Sequence, residues 1–281
     1  MDRSIVYPVS IPLDTDLLTS QQNSMKAIGA LLASTFGTGT FVDGLACTQT
    51  TVASMSVTVA QGWMGYLTTV EPNAYGSLPV DSTTPLMKMG INLAATALGP
   101  MTAPATSGQS VVYLVQAAFS EADTSAVVLP YYNAANPSVP YTGPANAGTA
   151  QNTKRQQVVT LGLKQGTAAT TGSQTTPAPD SGYTALYAIT IANGATTVVN
   201  ANIAAVPGAP FIGTKLSTVR GNNVAVYDIV AGVQKVSING AAYTTVGATT
   251  FPALPFAGAA ARVRLTGAGG GGGGANSGGL G

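Results

Sequence analysis

Any chemistry in this chain would have to come from carboxylates. The sequence holds no histidine, the single cysteine Cys47, and ten acidic residues: Asp2, Asp14, Asp16, Asp43, Glu71, Asp81, Glu121, Asp123, Asp180 and Asp228. The commonest general base is therefore missing, and a lone thiol without imidazole makes neither a zinc site nor a Cys–His pair. Only Glu121 and Asp123 are spaced to act together, because residues two apart share one face of a strand. Their side chains would stand about 7 Å apart along that strand, whereas glycoside hydrolysis needs its two carboxylates on opposite sides of a sugar-sized cleft. A turn or strand-end role is expected for both. No serine lies in a nucleophile-elbow sequence, and the glycine run at residues 269–274 has no following Lys-Ser or Lys-Thr to make a phosphate loop. The reading is of a protein that is not an enzyme and takes no cofactor or metal.

Composition narrows the class further. Charged residues make up 7 % of the 281 residues, against roughly a quarter in an average soluble protein. Hydrophobic residues reach 45 %, and the net charge is +1. The surface must therefore be built from Thr, Ser, Asn and Gln. Abundant Val, Ile and Thr argue for sheet and against disorder. The eleven basic residues are scattered, apart from Lys154 with Arg155 and Arg262 with Arg264, so nucleic-acid binding is not expected. No apolar run approaches the roughly 18 residues of a membrane span. The N-terminus lacks a basic region followed by an apolar stretch, so the expectation is a chain made in a cytoplasm.

The elements that would carry these residues begin with one helix. Asp14 or Asp16 can cap it, Thr19 and Gln22 have capping-box spacing, and the proline-free stretch runs to Phe36 before Gly37 and Gly39. Leu18, Met25, Ile28 and Leu32 fall at spacings of seven, three and four, a narrow stripe with Gln21 in its seam. That stripe packs either on its own domain or in a short oligomeric seam. From residue 41 to about 216 the pattern changes to period two. Met55, Val57 and Val59, then Val111 to Phe119, then Tyr183 to Ile191, alternate as strands with one buried face. Weaker strands are expected at 41–47, 63–70, 85–93, 126–132 and 157–164. With no second helix for crossovers, the expected fold is mainly β: an antiparallel β-sandwich or jelly-roll-like domain.

Two long connections, 133–152 and 166–182, are rich in Pro, Gly, Ala and Thr. Such loops usually have a task, and Tyr131, Tyr132 and Tyr141 point to contacts with neighbouring subunits. A boundary is expected near 207–221, followed by a small β-domain with an Asn239-Gly240 hairpin turn. Residues 267–281 carry ten glycines. The four regions are thus 1–40, an extended segment plus helix for attachment or oligomerisation; 41–216, the sandwich; 217–266, the small domain; and 267–281, a glycine-rich tail.

Several strings also carry a resemblance. The segments 1–8 and 11–18 (MDRSIVYP and IPLDTDLL), 42–47 (VDGLAC), 88–93 (KMGINL), and 121–123 with 129–137 (EAD, then LPYYNAANP) resemble, in order, a family of phage tail-fibre and tail proteins. Residues 262–267 (RVRLTG) and the glycines after them are similar to the glycine-rich C-terminal module of tail fibres. The resemblance covers about residues 1–211. It implies a structural virion protein, attached to the tail through its N-terminal segment and projecting outward as a homotrimer. No catalytic motif travels with it. The expected partners are further copies of the chain, other tail proteins, and host cell-surface polysaccharide or protein. The alternative expectation is a receptor- or glycan-binding adhesin in which Trp63, Tyr131, Tyr132 and Tyr141 stack on sugar rings.

Overall fold

The structure, a computed structural model, describes residues 2–5, 7–213, 225–230, 233–238 and 244–245. It is mainly β, with one α-helix, and divides into two compact units at Ile212 and Gly213. The glycine-rich tail expected at 267–281 and the Asn239-Gly240 turn lie outside the described residues.

Helix α1 spans Asp14–Phe36. Its cap position is Leu13, not Asp14 or Asp16. Asp16, in the first turn, accepts a hydrogen bond from the Leu13 backbone N–H at 2.9 Å, the returning half of a capping box. Both aspartates also favour the positive end of the helix dipole. Thr19 and Gln22 lie within the helix, so their spacing caps nothing. The helix ends where Gly37 takes φ 79° and donates its N–H to Ala33 O at 3.0 Å.

After α1 come β1 (Phe41–Gly44), β2 (Cys47–Gln49), β3 (Val57–Val59), β4 (Gly62–Glu71), β5 (Asp81–Asn92) and β6 (Thr96–Leu98). Strands β1-β4-β5 form one antiparallel sheet and β2-β3-β6 another. Next are β7 (Gln109–Val127), the short β8 (Pro130–Tyr131) and β9 (Tyr141–Thr142), then β10 (Gln151–Gln165), β11 (Ala169–Thr170), β12 (Thr184–Ala192) and β13 (Ile203–Ala205). Here the order is β10-β7-β12-β13, with β11 beside β7. The main core lies between the sheets, where Val42, Leu45, Val57, Val59 and Met64 meet Val111, Tyr113, Val115, Ala117, Ile189 and Ile191. The second unit contains β14 (Ala225–Val230), β15 (Val233–Ile238) and β16 (Thr244–Thr245), an antiparallel sheet in that order.

Two features depart from the simple alternation. β7 is buried on both faces, since Val112, Leu114 and Gln116 are covered as well as Val111, Tyr113, Val115 and Ala117. Its cover includes the connection 166–182, which was expected to meet neighbouring subunits. That segment is tied to its own sheet: Gly166 donates to Val112 O at 2.9 Å, and the Asp180 backbone N–H donates to Gln116 Oε1 at 2.8 Å. On β12, a bulge between Ala185 and Tyr187 turns Leu186 into the core alongside Ile189 and Ile191. The strict even spacing read from Tyr183 onward is therefore broken by one residue.

Helix α1 lies on β5. A Cβ at Gly29 would stand 2.5 Å from Met87 O and 2.5 Å from Leu86 Cδ1, so only glycine lets helix backbone approach strand backbone this closely. Leu32 then joins Phe41 and Met87 in a second small core.

Candidate functional site

The ionisable residues of the described chain converge where β5 meets β10. Antiparallel pairing of β7 with β10 sets Glu121 opposite Gln157 and Asp123 opposite Arg155, the directly facing positions at which cross-strand side chains interact. β5 closes against β10 from the other sheet. A Cβ on Gly90 would lie 2.6 Å from Val158 O, which marks how tight the approach is. At the next position on this face of β5, Asn92 donates through Nδ2 to Val159 O at 2.8 Å and accepts from the Val159 N–H at 3.0 Å.

Two ion-pair groups follow. Lys88, with its side chain wholly buried, points its Nζ at both Glu121 oxygens, at 2.7 and 2.8 Å. Gln157 Nε2 adds a bond to Glu121 Oε1 at 2.8 Å and a contact to Met25 Sδ at 3.4 Å. Arg155 forks onto Asp123 with Nε and Nη2, at 2.7 and 2.8 Å, and reaches Glu71 with Nη1 at 2.6 Å. It also donates to the carbonyls of Asn73 and Ala74 at 3.1 and 2.8 Å, and lies 5.1 Å from the Tyr75 ring centroid. Such a bidentate fork is the strong form of an ion pair. It holds the Asp123 carboxyl below its ordinary range, and its hydrogen bonds to Asp123 and Glu71 raise the already high guanidinium value. The Tyr75 hydroxyl, pushed upward by burial, donates to Gln21 of α1.

Glu121 and Asp123 do share a strand face, as their spacing requires, but each faces a cation. A carboxylate fixed by Lys88 or Arg155 is held ionised and engaged, which suits a clamp between two sheets better than proton transfer. The sequence signal for this network was the matching two-residue step of Glu121/Asp123 and Arg155/Gln157 in strands of opposite direction. Lys88 was invisible, because its place depends on packing between sheets. Beside the network, between α1 and the edge of β5, lies a cavity of about 440 Å3. Met25, Ile28, Met87, Met89 and Ile91 form its apolar lining, with Gln21, Gln22 and Ser24 along the helix side.

The helix stripe is divided between readings. Leu32 is buried in its own domain, while Leu18 and Met25 are half-buried; Leu18 is the neighbour that a Cβ on Gly76 would meet, at 2.9 Å, and Met25 sits beside Gln157. Ile28 is exposed. The outward apolar positions of α1 are Leu17, Ile28, Leu31 and Phe36, displaced around the helix from the stripe read in the sequence. The four aromatics do not form one cluster. Trp63 is on β4, in register with Asp43 and Ile91. Tyr131 and Tyr141 face each other across the β8–β9 hairpin, where the Tyr131 hydroxyl donates to Gln151. Tyr132 beside them is 77 % exposed.

Among the described residues no three His, Cys, Asp or Glu are grouped to hold a metal ion, and no helix is long and apolar enough to cross a membrane. Cys47 is buried, and burial pushes its thiol up to about 12. No family model, curated protein or solved structure matches the chain.

Proposed function

We propose that this chain is a structural subunit of a tailed-phage virion, a tail-fibre component that anchors through its N-terminal segment and helix and works as a homo-oligomer, in the tail-fibre reading a homotrimer. One observation carries the assembly part of this reading. Nine of the 22 exposed large hydrophobic side chains lie in the first 36 residues, a short part of a 281-residue chain. Exposed apolar residues concentrated in one region mark an interaction surface, whereas scattered ones do not. The outward face of α1 is also free of charge from Leu17 to Phe36; Lys26, the only ionisable residue in that stretch, is half-buried and bonds to Gln22. A rotationally symmetric oligomer sets identical residues near one another, so an uncharged face avoids like-charge contact.

The test is to raise antibodies against the chain and probe purified virions by immunogold labelling and peptide mass spectrometry. Labelling of the tail, with the chain recovered among virion peptides, supports the reading; absence from virions overturns it.

A second reading, the adhesin, is favoured by the tip of the β7–β10 ribbon. Residues 124–153 contain no charged side chain, and Tyr132 stands 77 % exposed there. Such a neutral aromatic surface suits a sugar ring. Binding of host-surface polysaccharide that is lost on Tyr132→Ala would favour this reading over a purely structural one.

A further inference from the structure

We propose that the loop 5–12 of one copy seats its apolar side chains in the cavity beside α1 of a neighbouring copy, joining subunits arm into groove; this rests on the self-assembly part of the reading above and names its contact.

The arm is ordered but has no cover of its own. Its start is pinned along α1: Asn23 Nδ2 donates to Asp2 O at 3.0 Å, and Ser4 Oγ donates to Asp16 O at 3.1 Å. Its end is pinned by the Leu13–Asp16 cap bond. Between these anchors the chain turns, with the Ser10 N–H and Oγ both donating to Tyr7 O at 3.1 and 2.7 Å. Val9 sits in that turn at φ 70°, a left-handed conformation that costs a β-branched residue strain. Ile5, Tyr7, Val9 and Ile11 are exposed by 74, 70, 102 and 87 %. A strained turn that presents every large apolar side chain outward makes sense where something covers them.

The groove is the complement. The cations and carboxylates next to it are engaged with one another, Lys88 with Glu121 and Arg155 with Asp123 and Glu71. What remains toward the opening is methionine and isoleucine, and methionine adapts to the shape of an inserted group. A charged occupant would gain nothing there, and residues 4–13 carry no charge at all. Held at both ends on its own helix, the arm leaves its own cavity open, so a second copy covers both surfaces at once. The contact is head-to-tail, and it closes into a ring if the rotation per subunit allows. The trimer of the tail-fibre reading is one such closed form.

The experiment is light scattering and sedimentation of the full-length chain over a wide concentration range. Tyr7→Ser/Val9→Ser/Ile11→Ser keeps both anchors and changes only exposed side chains, and it is expected to weaken association at least tenfold with an unchanged circular dichroism spectrum. Ile91→Glu, on the groove side, is expected to do the same. Leu31→Glu, on the exposed helix face outside the cavity, is expected to leave association unchanged. Arm and groove variants that assemble like the unaltered chain would overturn the inference, as would loss of assembly in Leu31→Glu alone. A chain monomeric at every concentration overturns it too, including the case in which the arm variant lowers the melting temperature of that monomer, because the arm would then be covering its own cavity. Assembly that ignores both arm and groove leaves the virion reading standing; absence from virions removes that reading with the arm contact intact.

Discussion

Asn92 and Val159 exchange two hydrogen bonds, the carboxamide of one serving the backbone N–H and C=O of the other at 3.0 and 2.8 Å. A side chain here takes the place of a strand partner: β5 and β10 belong to different sheets, and Asn92 supplies the rung that no ladder provides between them. Asn92→Ala would leave both Val159 backbone groups without partners at a site too tight for easy hydration. The expected loss is about 1–3 kcal/mol, read as a lower urea midpoint with an unchanged m-value. Asn92→Asp is expected to lose stability as well, since a carboxylate cannot donate to Val159 O.

Lys88 and Glu121 make the opposite kind of prediction, one about sign. Lys88→Met alone strands a carboxylate of which 8 % is exposed, and breaking a buried pair by removing one partner costs about 3–5 kcal/mol. Lys88→Met/Glu121→Leu removes both charges, and replacement of a whole pair by apolar groups of similar size is often neutral. Gln157, which bonds Glu121 Oε1, then loses a partner, so recovery is expected to be partial. A double-mutant cycle by urea denaturation checks this. A double variant less stable than Lys88→Met would show that the pair contributes more than the cost of burying it.

Acid should weaken the chain through Asp123. The hydrogen bond from Arg155 depresses its folded-state pKa below the ordinary 3.8. A depressed carboxyl contributes stability that is complete above the unfolded value and lost as pH falls through the folded one. The urea midpoint should therefore hold steady above about pH 5 and decline below about pH 4. Asp180, depressed by Lys164 and then Gln116, acts in the same direction. With its side chain 42 % exposed, Asp123 is partly screened by solvent, and its share is modest. Asp123→Asn should make the curve shallower in that window while lowering the midpoint at neutral pH. An unchanged acid slope would assign the acid sensitivity to other carboxylates.

What the sequence made legible follows from which interactions are local. Helix α1 could be read because Phe36, Gly37 and the proline-free run before them act within a few residues. β7 could be read because Val111, Tyr113 and Val115 alternate, yet its second buried face could not, since that depends on a connection more than 40 residues away reaching Gln116 through Asp180. The charge network was half legible. Glu121 and Asp123 stood out as a pair, and Arg155 is fixed opposite Asp123 once the strands are aligned. Lys88 arrives from another sheet, and no periodicity records that. The helix stripe was displaced for a related reason: Gly29, which periodicity counts as neutral, sets which side of α1 meets β5.

Gly29 gives the last test, because local and tertiary effects oppose each other there. In an exposed helix interior, glycine to alanine gains about 1 kcal/mol from backbone entropy and helix propensity. At position 29 the new methyl would enter at 2.5 Å from Met87 O, and a strand carbonyl cannot give way as the end of a flexible side chain can. Overpacking of this kind costs about 1–3 kcal/mol. Gly29→Ala is therefore expected to lower the melting temperature despite its better propensity, and to increase hydrogen exchange along α1. Ala30→Gly, one residue further on the exposed side, should destabilise by propensity alone and leave exchange in β5 unchanged. If Gly29→Ala proved more stable than the unaltered chain, the close seat of α1 on β5 would be wrong, and with it the cavity beside the helix.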